Sequence, residues 1–337
     1  MFKYSLKMAD VNFSVSFSFT HQPHQPRQQL RSDKFATLPT LMPALPRLFR
    51  RQRLLIVGCG DVGMRILRHL QQRPRPPRIF ALTRQPEQQA ELRAGGAVPV
   101  LGDLDRPTSL YRLRGLAHQV IHLAPPPAHG TNDPRTRHLL SHLTRRCILT
   151  YVSTTGVYGD CNGALIDETQ PKQPRSERGK RRVAAEKLLR RWGKTTGHCV
   201  SILRAPGIYA EDRLPLERIR QGLPILQHTE DVYTNHIHAD DLARLCYLGL
   251  IRGRANRSYN ACDNQAVKMG DWIEAVARRF NLPPPPRLAR AEVQQQVSAM
   301  QWTFMQESRQ ISNQRIREEW GVILRFPSAL DFLDGLS

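Results

Sequence analysis

The stretch Arg53 to Leu70, RLLIVGCGDVGMRILRHL, constrains the fold of this 337-residue chain more than any other. Four apolar residues, Leu54 to Val57, run straight into Gly58-Cys59-Gly60-Asp61-Val62-Gly63. Met64 then opens a run in which Val62, Ile66, Leu67 and Leu70 recur at helical spacing. Strand, tight turn and helix in that order turn the G-x-G-x-x-G spacing into a dinucleotide-binding pattern. The three glycines serve different ends. Gly58 allows the turn out of the strand, Gly60 lets backbone N–H groups approach a pyrophosphate, and Gly63 brings helix and strand close. The phosphates then rest at the positive end of the helix, beside Asp61 and Val62.

Beyond that unit the pattern keeps alternating. Arg78–Thr83 reads as a second strand, Pro86–Ala94 as a short helix, Ala97–Leu101 as a third strand and Val120–Ala124 as a fourth, ended by three prolines that cannot continue a sheet. A helix near Pro134–Arg145 and a strand over Cys147–Ser153 follow. Five strands in βαβ alternation predict an α/β fold with a doubly wound parallel sheet, a Rossmann arrangement whose ligand lies at the carboxyl ends of the strands. The loops at 58–63, 83–86, 102–105, 124–130 and 153–159 should therefore line one cleft, which adds Thr83, Arg84, Asp103, Leu104 and Ala124 to the cofactor candidates. The second strand ends where an acid would take the ribose 2′-hydroxyl of NAD. Thr83-Arg84 stands there instead, and an arginine can pair a 2′-phosphate, so NADP is expected ahead of NAD. Asp103 can accept from an adenine amino group or cap its own loop.

Residues 1–50 are rich in Gln, Ser, Pro and basic side chains and hold only Asp10 and Asp33 as acids. They read as a disordered extension or as a start placed too early, Met42 lying just ahead of the first strand. A dinucleotide-binding part is expected over 51–200 and a smaller α/β substrate-side region, interleaved with the same sheet, over 201–337. The net charge of +21 comes without a helix-turn-helix, zinc-finger or RNP pattern, so a basic solvated surface is expected rather than a nucleic-acid partner. Six scattered cysteines with no C-x-x-C spacing point to reduced thiols in a cytoplasmic protein. No run approaches a membrane span, and a metal site is not expected at His236 and His238, which lack further ligands.

Val152-Ser-Thr-Thr-Gly-Val-Tyr-Gly159, followed by Leu203-Arg-Ala-Pro-Gly-Ile-Tyr209, Asn235-His-Ile-His-Ala-Asp-Asp-Leu-Ala243 and Ser258-Tyr-Asn-Ala-Cys-Asp263, resembles the extended short-chain dehydrogenase/reductase superfamily, its NAD(P)-dependent epimerase/dehydratase group. The tail Ser312–Gly321 with Phe326–Leu330 is most similar to the YeeZ-like atypical branch. The resemblance implies a nicotinamide cofactor, a small-molecule substrate and a Ser/Thr, Tyr, Lys proton relay. Aligned on Val157-Tyr158-Gly159 and Ala184-Ala185-Glu186, it sets Thr154 at the hydroxyl position but Arg178 and Arg182 where Tyr and Lys belong. Guanidinium does not deprotonate near neutral pH, so the ordinary relay is absent. Spaced i, i+4, the two arginines share a helix face and can clamp an acidic group, or form part of a basic solvated helix. Tyr158, Tyr209, Glu168 and His236 are the substitute acid–base candidates. Two functions follow: an oxidoreductase or epimerase acting on an acidic or nucleotide-sugar-like substrate, or a non-catalytic dinucleotide-binding sensor or scaffold.

Past residue 200, a helix over Leu214–Gly222 is expected as a lid to the cleft. A second over Asp240–Ile251 should be capped by Asp240 or Asp241, and Pro283–Pro286 reads as a rigid linker.

Overall fold

The computed structural model describes residues 51–143 and 147–336. The fold grows from β1 (Arg53–Val57), whose side chains are apolar on both faces because helices cover both. Leu54 and Ile56 enter one core with Ile66 and Leu67, while Leu55 and Val57 enter another with Leu149 and Leu189. Next come α1 (Asp61–Gln71), β2 (Arg78–Thr83), α2 (Gln89–Ala94), β3 (Ala97–Leu101), β4 (Gln119–His122), α3 (Pro134–His142) and β5 (Ile148–Thr154). After the two-residue strand β6 (Leu165–Ile166) the chain forms α4 (Glu177–Thr196), β7 (Cys199–Ala205), β8 (Gly207–Tyr209), α5 (Leu216–Arg220), β9 (Ile225–Leu226), β10 (Tyr233–Thr234), β11 (His236–His238), α6 (Ala239–Arg252) and β12 (Arg257–Asn260).

The principal sheet has seven strands in the order β12-β7-β5-β4-β1-β2-β3, every neighbouring pair parallel. This is the doubly wound α/β sheet expected from the alternation, with β7 and β12 from beyond residue 198 continuing it. The strand order reverses between β1 and β4, where a crevice opens at the carboxyl ends. The remainder comprises β13 (Val267–Lys268), α7 (Met269–Arg279), β14 (Arg287–Leu288), α8 (Arg290–Gln296), α9 (Ala299–Met305), β15 (Gln310–Ile311), α10 (Gln314–Trp320) and α11 (Ala329–Asp334). It makes short ladders, β10 with β13, β11 with β8, β14 with β9 and β15 with β6.

Several expectations are corrected. Helix α1 starts at Asp61, not Met64, since Met64 N already donates to Gly60 O at 2.8 Å and the glycine-rich turn supplies the first helical turn. The cap of α6 is His238, whose side chain accepts from Asp240 N at 3.2 Å. Asp241 instead turns inward to accept from the backbone of Arg325 and Phe326 at 3.1 and 2.9 Å. The segment after Leu214 forms the brief α5, packed against α7 with Ile219 in a common apolar cluster with Trp272 and Val276. The proline run is pinned: Pro286 O accepts from Ile225 N at 3.0 Å, so it leads into the β9–β14 ladder. Residues 1–50, with the extension expected there, lie outside the described residues. The six cysteines are free thiols. No helix among the described residues is long and apolar enough to cross a membrane.

Candidate functional site

A cleft of about 760 Å³ lies across the carboxyl ends of β1, β2, β4, β5 and β7. Its floor is the glycine-rich turn. Gly58 leaves β1 with φ +87°, and a Cβ there would stand 2.5 Å from the backbone nitrogen of Ala124, so only glycine serves. Gly63 is crowded by a side chain instead, since a Cβ on it would lie 2.9 Å from the Cys59 Sγ. Gly60 differs. It is the N-cap of α1, makes no side-chain capping bond, and has nothing within 4 Å of where a Cβ would stand. The first-turn N–H groups of α1 thus open on the cleft without a side chain in front of them.

Gln88 fixes this turn to the end of β2. Its amide donates to Cys59 O at 3.0 Å and its carbonyl accepts from the Thr83 hydroxyl at 2.7 Å. Arg84 lines the cleft just beyond and pairs with no carboxylate among the described residues. On the neighbouring loop, Asp103 Oδ1 accepts from Asp105 N at 2.9 Å, the loop-capping role, while Arg135 grips Asp105 through two bonds of 2.8 and 2.6 Å. Asp61 does not stand free either. Burial opposes its charge, but Arg213 and Arg65 donate to it at 2.8 and 2.9 Å and hold its pKa below the usual carboxylate value.

At the far end Thr154, the last residue of β5, accepts from Gly156 N at 3.2 Å through its hydroxyl. Arg178 and Arg182, one turn apart on α4, line the same end. They are not equivalent. Arg182 donates to the Tyr151 hydroxyl and the Val152 carbonyl, each at 2.8 Å, and so ties α4 to the end of β5. Arg178 lies with its guanidinium carbon 4.9 Å from the centre of the Phe304 ring and is open to solvent.

Of the residues singled out in the sequence, Gly58, Gly60, Asp61, Val62, Gly63, Thr83, Arg84, Asp103, Leu104, Ala124, Thr154, Arg178 and Arg182 all line this one cleft. Tyr158 does not. Its hydroxyl donates to Asn260 Oδ1 at 2.6 Å and accepts from Arg204 at 2.9 Å, and burial pushes its pKa up to about 12. Glu168 is likewise internal, accepting from Asn260 N at 2.7 Å with Arg315 3.3 Å away. Tyr209 and His236 meet edge to face in a neighbouring apolar chamber of about 250 Å³. Burial lowers the His236 pKa to about 4 and raises that of Tyr209, so neither exchanges a proton readily near neutral pH. Sequence reasoning missed Arg135, Arg213 and Gln88, which carry no local signature among so many basic and amide side chains.

Behind the site, Glu186 of α4 accepts from Ser153 at 2.7 Å and from Arg204 through both oxygens at 3.1 and 2.8 Å. This buried pair holds α4, β5 and β7 in one register, so Thr154 and the two arginines sit on a rigid support.

Comparison with known proteins agrees with this geometry. Part of human dTDP-D-glucose 4,6-dehydratase is 27% identical over 122 residues, 34% of this chain and 35% of that protein. GDP-6-deoxy-D-mannose reductase of Pseudomonas aeruginosa is 29% identical over 162 residues, 42% of this chain and 53% of that one. The chain thus spans between a third and about half the length of these curated relatives. A functionally unknown conserved protein from Silicibacter pomeroyi DSS superposes with a TM-score of 0.70 at 28% identity, over 85% of this chain and 98% of its own. The family model for the NAD dependent epimerase/dehydratase family matches residues 54–262, and the chain belongs to that family.

Proposed function

We propose that the cleft binds a nicotinamide dinucleotide, NADP in preference to NAD, and that the protein is an oxidoreductase or epimerase acting on an acidic substrate through a rearranged site. The observation that carries the reading is Gly60. At the N-terminus of α1, in a cleft floor otherwise packed to contact distance, the position of its absent Cβ is open space. A pyrophosphate fits there, because backbone N–H groups and the helix dipole both favour an anion and no side chain blocks it. Arg84, without a carboxylate partner among the described residues, stands at the end of β2 where a 2′-phosphate would lie.

When bound, the nicotinamide supplies hydride transfer. The Thr154 hydroxyl accepts from Gly156 N, so its own proton is free to reach a substrate oxygen. Arg178 remains charged and holds an anionic group or a developing oxyanion without moving a proton. Arg182 orients the end of β5 through Tyr151 and Val152. The proton that the family's tyrosine would carry then comes from water or from the substrate itself. A second reading, a dinucleotide-binding sensor or scaffold, draws its support from this same absence of a titratable group at the positions of Arg178 and Arg182.

Calorimetric titration with NADP, NADPH, NAD and NADH tests the binding that both readings share; binding of none of the four would remove them together. With NADPH bound, the nicotinamide absorbance followed against a panel of acidic and nucleotide-sugar carbonyls separates enzyme from sensor. Turnover of any member establishes the first, and silence across the panel favours the second.

A further inference from the structure

Asp61 stands where the phosphates of a dinucleotide would come closest. It is the first residue of α1, next to Gly60, and its side chain is 31% exposed on the cleft. A carboxylate suits the positive end of a helix, but there it repels the anion that the same end would hold. An anion site at this turn therefore needs a cation that answers Asp61.

Arg65 does not suffice. Its buried guanidinium is divided among Asp61, Asp212 and Asp240 at 2.9, 2.6 and 2.9 Å, one positive charge against three carboxylates. Asp212 and Asp240 face a separate hollow with Arg68 and Arg325, which the glycine-rich turn does not line. Arg213 brings the second charge. Its Nη1 donates to the other oxygen of Asp61 at 2.8 Å, the side chain is 36% exposed, and Nε and Nη2 make no hydrogen bond among the described residues. Arg213 lines the cleft together with Gly60, Asp61 and Val62. Its flanks fix it there: Arg213 N donates to Ala210 O at 3.0 Å, and Tyr209 and Leu214 on either side join the apolar cluster around Trp272.

We propose that Arg213 is a further cofactor-binding residue, a clasp held by Asp61 through one nitrogen and donating through its remaining N–H groups to the diphosphate bridge of the dinucleotide. This rests on the cofactor reading above and extends it to a residue some 150 positions from the glycine-rich turn. Guanidinium suits the task, because its donors form a rigid planar fork that can serve a carboxylate and a phosphate from different edges. The bridge is common to NAD and NADP, so Arg213 strengthens both, whereas Arg84 acts on the 2′-phosphate alone.

The test titrates the full chain by calorimetry with NADPH, NADH and ADP-ribose, which all carry the bridge. Ligand-observed NMR follows 2′-AMP, which carries the adenosine and the 2′-phosphate without it. Arg213→Ala should weaken the first three by similar factors of about tenfold or more and leave 2′-AMP as in the wild type. In the double variant, Asp61→Ala with Arg213→Ala, about threefold or more of that loss should return, since no unanswered carboxylate then stands beside the phosphates. Circular dichroism and the thermal midpoint report that both variants are folded. Undiminished binding of the three ligands by Arg213→Ala, an equal loss of 2′-AMP, or a double variant that binds no better than the single one would overturn the proposal. Failure of the wild type to bind NADPH and NADH alike would instead overturn the cofactor reading beneath it.

Discussion

Arg182 and Tyr151 are joined by a 2.8 Å hydrogen bond from guanidinium to phenol, and the same nitrogen also serves the carbonyl of Val152. Tyr151 is fully buried, and burial pushes its pKa up to about 12, so its hydroxyl stays neutral and depends on that contact. Arg178, one turn earlier, has no such commitment. Arg182→Ala should therefore cost roughly 1–3 kcal/mol by leaving buried polar atoms unpaired, whereas Arg178→Ala should fall within about 0.5 kcal/mol of wild type. Urea denaturation of the two variants checks the contrast; equal losses would mean that both arginines are structural.

The glycines of the turn should separate in the same manner. Gly58→Ala meets positive φ and the Ala124 backbone, so a loss of about 2 kcal/mol or more is expected. Gly60 has φ −85° and open space beyond it, so Gly60→Ala should keep its thermal midpoint yet weaken nicotinamide dinucleotides severely. Differential scanning calorimetry beside a cofactor titration reads both effects. A Gly60→Ala protein that binds cofactor normally would move the pyrophosphate elsewhere.

For Arg84→Ala, NADP affinity should fall by about tenfold or more, the usual worth of a charge-assisted bond to phosphate, with NAD affinity nearly unchanged. Equal effects on the two cofactors would show that Arg84 does not read the 2′-phosphate.

The Glu186–Arg204 pair gives a pH signature. Burial alone would raise the Glu186 pKa, but bonds from Arg204 and Ser153 outweigh it and hold the carboxyl below its ordinary value. Since the folded pKa lies below the unfolded one, this stabilisation is complete above about pH 4.3 and is lost as pH falls through the folded value. Glu186→Gln strands a buried guanidinium, so about 3–5 kcal/mol should be lost at pH 7. The gap from wild type should close as the pH falls through that lowered folded value. A gap independent of pH would assign the cost to packing rather than charge.

Much of the fold was legible because its signals are local. The βαβ alternation and the Gly58–Gly63 turn each occupy contiguous sequence, whereas Thr154, Arg178 and Arg182 were singled out through the family resemblance, aligned on Val157–Gly159 and Ala184–Glu186. Arg178 and Arg182 were legible as a pair, since i, i+4 spacing is a property of the helix alone. What escaped depends on distant strands. Tyr158 reads as a free hydroxyl until β7 and β12 bring Arg204 and Asn260 against it. Asp240 and Asp241 both suit an N-cap, and only the packing of the 325–326 backbone turns Asp241 inward and leaves the cap to His238.

Arg65 brings the two walls of the cleft under common control. Its buried guanidinium holds Asp61 of the turn, Asp212 of the facing segment and Asp240 of α6 at 2.9, 2.6 and 2.9 Å, and Arg213 reaches back to Asp61 at 2.8 Å. An outward swing of residues 211–213 would have to pull Asp212 from Arg65 and Arg213 from Asp61. Charge pairing thus ties residues 211–213 to the turn and to α6, beside the apolar cluster that holds Tyr209 and Leu214. The outer pairs, exposed to solvent, are screened by salt while the buried guanidinium is screened far less. Added salt should therefore weaken the outer pairs at the cleft mouth first, while the apolar core of the sheet beneath them is left in place.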